Sequence, residues 1–146
     1  MQEYVVGLLM FEDYVVMIRK AKPEWQAGRL NGVGGKIEPG EEPLTAMRRE
    51  SLEEIGVTPE WTQFARLTYT EADLYFFAAE DETAFRLARQ REIEPVEKWS
   101  IAFLRDNPHV LVAENLVWLL PLAQQHLSRK HGVMVGTLTV GQSTAP

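Results

Sequence analysis

The chain has 146 residues, 45% of them apolar, which is the size of one ordinary domain with enough material for a core. It contains no cysteine, so disulfides, thiolate zinc sites and cysteine nucleophiles are excluded, in keeping with a reducing, cytoplasmic setting. A net charge of −6 without a dense Lys/Arg block argues against a polymeric nucleic acid partner, whereas a small phosphorylated ligand bridged to carboxylates by metal ions stays open.

In chain order, "EYVVGLLMF" and "YVVMIRK" are rich in β-branched and aromatic residues and flank Glu12-Asp13, which predicts a hairpin. The first stretch lacks a basic leader region, so it does not read as a signal peptide, and no apolar run approaches the roughly 18 residues of a membrane span. "AKPEWQAGRLNG" is a loop marked by Pro23, Gly28 and Gly32, and "VGGKI" is a short strand. A helix is expected over 43–55, with Pro43 in its first turn and Gly56 at its C-terminal cap. "WTQFARLTYT" and "DLYFFAAE" form a second strand pair joined near Glu71-Ala72. Residues 81–93 read as a loop or a short helix. "EPVEKWSIAFL" is expected to be the last strand followed by a turn. "AENLVWLLPLAQQHLSRK" reads as an amphipathic helix kinked at Pro121, and about residues 135–146 as a flexible tail with a β-like start. Strands interleaved with helices point to a single mixed α+β domain over 1–146, its helices covering a sheet.

On a helix turning about 100° per residue, Glu50, Glu53 and Glu54 share one face through their i, i+3, i+4 relation. Leu44 and Ile55 fall roughly opposite, with Leu52 at the edge of that apolar side. Three like charges on one face destabilise a helix slightly, offset in part by Arg48 and Arg49. Such a cluster is either a solvated acidic surface or a set of hard oxygen ligands for Mg²⁺.

The wider context favours the second alternative. Gly35, five residues, Glu41, seven residues, then Arg49-Glu50, Ser51, Leu52, Glu53-Glu54, Ile55, Gly56 and Val57 resembles the Nudix box, G-x5-E-x7-R-E-U-x-E-E-x-G-U, where U is bulky and aliphatic. Every charged and glycine position agrees. Ser51 departs, standing at a U position on the packed side.

The resemblance implies an α/β/α sandwich with a mixed sheet and a loop–helix–loop that binds Mg²⁺, with Mn²⁺ as substitute, and a diphosphate. It implies Glu50, Glu53, Glu54 and the Gly35 carbonyl as metal ligands. Glu41 is implied as ligand or support, and Arg49 as an orienter of the glutamates. The reaction implied is hydrolysis of a nucleoside diphosphate linked to another moiety, with Glu53 or Glu54 taking the proton of the attacking water. Some members of the family use a downstream acid, and Glu94 and Glu97 are candidates; otherwise they are ordinary strand-edge charges.

Residues outside the box select the substrate. "GRLNGVGGKIE" resembles the segment before the box in MutT-like purine nucleoside triphosphatases, with Asn31 at a base-contacting position. It is also a reasonable turn residue beside Gly32. "AENLVWLLP" resembles a base-reading acidic pair in the same group, which places Glu114 and Asn115 at the base; the alternative is that they cap the helix. The pair is acid–amide here, where an oxidised purine reader has two acids. Trp25, Tyr75, Phe76 and Trp118 could stack on a base or belong to the core, and Val112 stands where a stacking tryptophan is expected. Among Arg19, Lys20, Lys22 and Lys36, Lys36 is the best phosphate contact because it follows Gly35.

The expected partner is thus a small nucleotide, most simply a (d)NTP or modified purine (d)NTP cut to monophosphate and pyrophosphate, by a monomer or homodimer away from membranes. One alternative is an ADP-ribose or nucleotide-sugar pyrophosphatase, for which 34 residues before the box is short. Another is a nucleotide-sensing module of the same fold, which would be expected to have lost box glutamates. A P-loop and a G-x-S-x-G elbow are missing, and His109, His126 and His131 have no zinc spacing.

Overall fold

Strand β1 (Gln2–Phe11) and strand β2 (Tyr14–Arg19) form the expected hairpin around Glu12-Asp13, with Glu12 at φ 52°. Their pairing covers only Met10↔Val15 and Phe11↔Tyr14, because the strands splay beyond the turn. The gap is filled by the segment after the long loop. Its first two residues, β3 (Leu30–Asn31), pair with β2, and its last four, β4 (Val33–Lys36), pair with β1. Gly32 makes that crossing. The computed structural model describes residues 1–129 and 138–141.

On its other edge β1 runs parallel to β6 (Ala72–Glu80), from Gln2↔Ala72 to Met10↔Glu80. Antiparallel β5 (Thr62–Thr68) follows β6, and β8 (Leu138–Gly141) lies parallel to β5. β7 (Val96–Ser100) pairs with β2. The sheet is therefore mixed, as expected.

The period-2 alternation of β1 builds two cores. Val6, Leu8 and Met10 join Leu116, Leu119, Leu120 and Ala123 of helix α4 (Leu116–Ser128), with Ile101 and Leu104 of α3 (Ile101–Asp106). Val5 and Leu9 join Ala46, Met47 and Ile55 of helix α1 (Pro43–Ile55), with Ala84 of α2 (Glu82–Leu87). Helices thus cover both faces in an α/β/α sandwich.

Of the two alternatives for residues 81–93, the short helix is found: α2, started by the Asp81 carboxylate accepting from Ala84 N–H at 2.9 Å. Two local expectations change. After β7 comes a helix where a turn was expected, because the Ser100 hydroxyl caps α3 by accepting from Phe103 N–H. Nor is β7 the last strand: β8 follows, inside the stretch expected to be a tail. The rest of that stretch, 135–137 and 142–146, lies outside the described residues. Pro121 lies within α4.

Candidate active site

Helix α1 starts and stops as its sequence dictates. Pro43 occupies its first turn, and Gly56, left-handed at φ 76°, closes it with an N–H to Leu52 O bond of 3.2 Å. Its faces differ from the helical-wheel reading. Ala46, Met47, Ser51, Glu54 and Ile55 are buried, and Leu52 is half exposed. Glu54 therefore sits within the packed face, not opposite it. Glu50 is mostly covered and Glu53 is half exposed, so the three carboxylates run from core to solvent.

Two adjacent glycines meet Glu54 and Glu50, one through its N–H and the other by leaving room. Gly34 donates its N–H to Glu54 Oε1 at 2.7 Å. A Cβ on Gly34 would stand 1.9 Å from the Val5 carbonyl oxygen, and one on Gly35 would stand 2.6 Å from Glu50 Oε1. Ser51, the departure from the box, is fully buried and donates its hydroxyl to the Val57 carbonyl, tying α1 to the turn that follows it.

Arg49 is the hub of the exposed side. It donates to both oxygens of Glu41 (2.9 and 3.0 Å), to Glu50 at 2.9 Å, to Glu53 at 3.4 Å and to the Lys36 carbonyl at 3.0 Å. These bonds raise the guanidinium pKa and hold the Glu41 carboxyl below the usual range, with help from the Glu38 N–H. Burial pushes Glu50 up despite Arg49. Burial also pushes Glu54 up to about 8, against the pull of the Gly34 N–H and of Lys20 and reinforced by the charges of Glu50 and Glu92. Two neighbouring carboxylates are thus costly to ionise in the bare protein. Among the described residues, no three acids or imidazoles converge to cage an ion as they stand. The donors are nonetheless hard oxygens beside a glycine-lined backbone. That suits an ion held by one or two carboxylates and completed by water and phosphate oxygens.

Beside this cluster opens a cavity of about 850 Å³. Gly34, Gly35 and Lys36 line it near the carboxylates, with Lys20 and Glu94. Asn31, Glu114, Asn115, Tyr69, Leu74 and Phe76 line it further along. The fold therefore gathers Asn31, Lys36, Glu114, Asn115, Gly35 and Glu94 around one space. Asn31 also serves the turn, accepting from Gly32 N–H at 2.8 Å. Asn115 stands at the N-terminus of α4 without capping it; its Nδ2 donates to the Tyr69 hydroxyl. The capping alternative for Asn115 fails on that bond.

Glu97 lies elsewhere. Both its oxygens take Arg19, at 2.6 and 2.8 Å, and one also takes Trp99 Nε1. Of the aromatic candidates, Trp25 and Phe76 line the cavity. Tyr75 instead sits under Arg66 and donates to Glu3. Val112 bridges to Leu30. Sequence reasoning missed Tyr69, Arg29 and Glu92. Tyr69 lies in an ordinary turn, and only the approach of α4 gives it a role. Glu92 is close enough for its charge to act on Glu50 and Glu54, which nothing in its neighbours along the chain signals.

Comparison with known proteins bears on this arrangement. A family model described as NUDIX domain matches residues 1–123. The 8-oxo-dGTP diphosphatase of Escherichia coli (strain K12) is 37% identical over 84 residues, 53% of this chain, and the chain spans 65% of that relative's length. A MutT structure, from work on Aliivibrio salmonicida and Vibrio cholerae, superposes with a TM-score of 0.63 at 23% identity, covering 85% of this chain and 97% of that one. The NUDIX domain of Shewanella oneidensis NrtR, complexed with ADP ribose, gives 0.72 at 16% identity, covering 86% and 88%. At such identities the superpositions speak for the fold, while the family model spans most of the sequence. The chain belongs to the NUDIX domain family.

Proposed function

We propose that the chain is a divalent-metal-dependent pyrophosphohydrolase that cuts a (d)NTP, or a modified purine (d)NTP, to the monophosphate and pyrophosphate. One observation carries this reading: the buried carboxylates of Glu50 and Glu54 abut the Gly34-Gly35 backbone at one end of a nucleotide-sized cavity, with amide, carboxylate and hydroxyl groups further along it. The similarity to an 8-oxo-dGTP diphosphatase over 84 residues supports the substrate class.

In this reading Glu50, Glu53, Glu54 and the Gly35 carbonyl hold Mg²⁺ or Mn²⁺, and Glu41 acts through Arg49. A bound divalent ion would neutralise the polyphosphate and lower the pKa of an attacking water. The chain's own part is positional. Gly34 fixes the Glu54 carboxylate by its N–H. Arg49 holds Glu50 and Glu53 in place, and Glu53, the most exposed of the three, is free enough to accept the water proton with Glu54 as the alternative. Lys36 faces the cavity beside Gly35 and meets phosphate oxygens as a point charge. Asn31, Glu114 and Asn115 offer donors and acceptors to a base edge.

A second reading, hydrolysis of ADP-ribose or a nucleotide sugar, draws on the likeness to the ADP-ribose-bound Shewanella domain. The deciding experiment is a hydrolysis screen over dNTPs, NTPs, oxidised purine nucleotides, ADP-ribose and nucleotide sugars, with Mg²⁺, Mn²⁺ or EDTA, and product analysis. Pyrophosphate released from a triphosphate, only with metal, is the expected result. Turnover confined to ADP-ribose supports the second reading, and no turnover of any substrate defeats both.

A further inference from the structure

The loop between β2 and β3, residues 20–29, forms a strap along the cavity and supplies Lys20, Lys22, Trp25 and Arg29 to its wall. Its base is closed by backbone bonds: Lys20 N–H to Arg29 O and Gly28 N–H to Lys20 O, both 2.8 Å. Its entering limb hangs on one side chain from another part of the chain. Glu94 accepts from Ala21 N–H at 2.5 Å and Lys22 N–H at 3.4 Å with one oxygen, and pairs the Lys20 ammonium at 3.0 Å with the other. These bonds hold the Glu94 carboxyl below its usual range although burial opposes it, so this acid stays charged. Both carboxylate oxygens are committed to the strap.

We propose that Glu94 is a positioning residue, not a metal ligand or base. It fastens the entering limb of the strap so that the cations of Lys20 and Lys22 stand beside Arg29 along the cavity wall, where a polyphosphate would lie. This rests on the nucleotide reading for its consequence, though the fastening itself does not. Lys20 makes the connection to the chemistry: its charge acts on Glu54 while its ammonium is pinned by Glu94. Loss of the pin frees Lys20 and the entering limb while the hydrogen bonds of Glu50, Glu53 and Glu54 stay in place.

The test is amide hydrogen exchange on the metal-free full chain, alongside kinetics and Mn²⁺ titration. In Glu94→Ala, exchange at Ala21 and Lys22 speeds up at least about tenfold while β1 and β6 amides keep their protection. KM for the best triphosphate rises about tenfold with kcat changed less than about twofold, and Mn²⁺ affinity is unchanged. Glu94→Gln keeps an acceptor for Ala21 and so retains that protection, but loses the pairing with Lys20 and shows an intermediate rise in KM. Unchanged exchange at Ala21 and Lys22 in Glu94→Ala overturns the proposal. So does a collapse of kcat with weakened Mn²⁺ binding in Glu94→Gln. A wild-type chain that turns over no nucleotide defeats the enzymatic reading instead, and the exchange result then still decides the fastening.

Discussion

At the scale of single residues, the site depends on side chains that are absent as much as on those present. Gly34 and Gly35 are adjacent, yet an added methyl group meets different obstacles. At Gly34 it meets the Val5 carbonyl of a paired strand, which cannot yield without breaking the β1–β4 ladder. At Gly35 it meets only the end of the Glu50 side chain, which can rotate. Gly34→Ala is expected to lower stability by about 3 kcal/mol, read as a shift of the urea midpoint. Gly35→Ala should unfold near the wild-type midpoint and lose activity, because Glu50 is displaced. Equal midpoints for the two variants would contradict this account. Glu54 sharpens the point. Glu54→Gln keeps an acceptor for Gly34 and removes only the capacity to ionise, so kcat should fall about a hundredfold or more with little change in melting temperature. The spacing of the glutamates was legible in the sequence. The burial of Glu54 was not, since a helical wheel sorts residues by type and cannot see that a backbone N–H on the facing strand, that of Gly34, receives its carboxylate.

At the scale of elements, β7 shows how a sheet edge is fixed by charge. Arg19 of β2 and Glu97 of β7 form a two-bond pair across the strands, and Trp99 adds a third bond. The Arg19 hydrogen bonds hold Glu97 below its ordinary 4.5, with burial opposing and Trp99 assisting. A carboxyl whose pKa is lower in the folded than in the unfolded chain stabilises the fold above its unfolded pKa. That contribution is lost as pH falls through the folded value. Glu97→Gln should therefore melt below wild type at pH 7, and the gap should close as the pH drops below 4.5. A gap constant down to pH 3 would mean that the pair does not act through ionisation. The same strand marks where element-level reading ended. Runs of strand-forming residues flanking polar turns predicted β1, β2, β5 and β6, and the caps bounded α1. The splay of β1 from β2, and the crossing at Gly32 that carries Asn31 to the cavity, depend on which strands compete for one edge. Periodicity within a strand carries no record of that competition.

At the scale of the whole molecule, the proposed function has a chain of net charge −6 receive a polyanion. Lys20, Lys22, Arg29 and Lys36 on the cavity wall favour it, and the carboxylates of α1, which lie against the lining residues Gly34 and Gly35, oppose it when ionised. In the metal-free protein burial makes Glu50 and Glu54 costly to ionise, with the charge of Glu92 adding to that cost, so that end offers a polyphosphate no cation. A divalent cation held there would favour ionisation of those carboxyls and supply positive charge for phosphate oxygens, so metal and nucleotide should bind cooperatively. A non-hydrolysable triphosphate analogue at about a hundred times its Kd contributes about 2.7 kcal/mol of stability, and a chain of this length gains about 2–4 °C per kcal/mol. The melting temperature should therefore rise by about 5–10 °C with Mg²⁺ and analogue together, by more than the sum of either alone, and fall back on adding EDTA. An equal rise with the analogue in EDTA would show that the cationic wall suffices for binding and that the carboxylates of α1 do not face the phosphates.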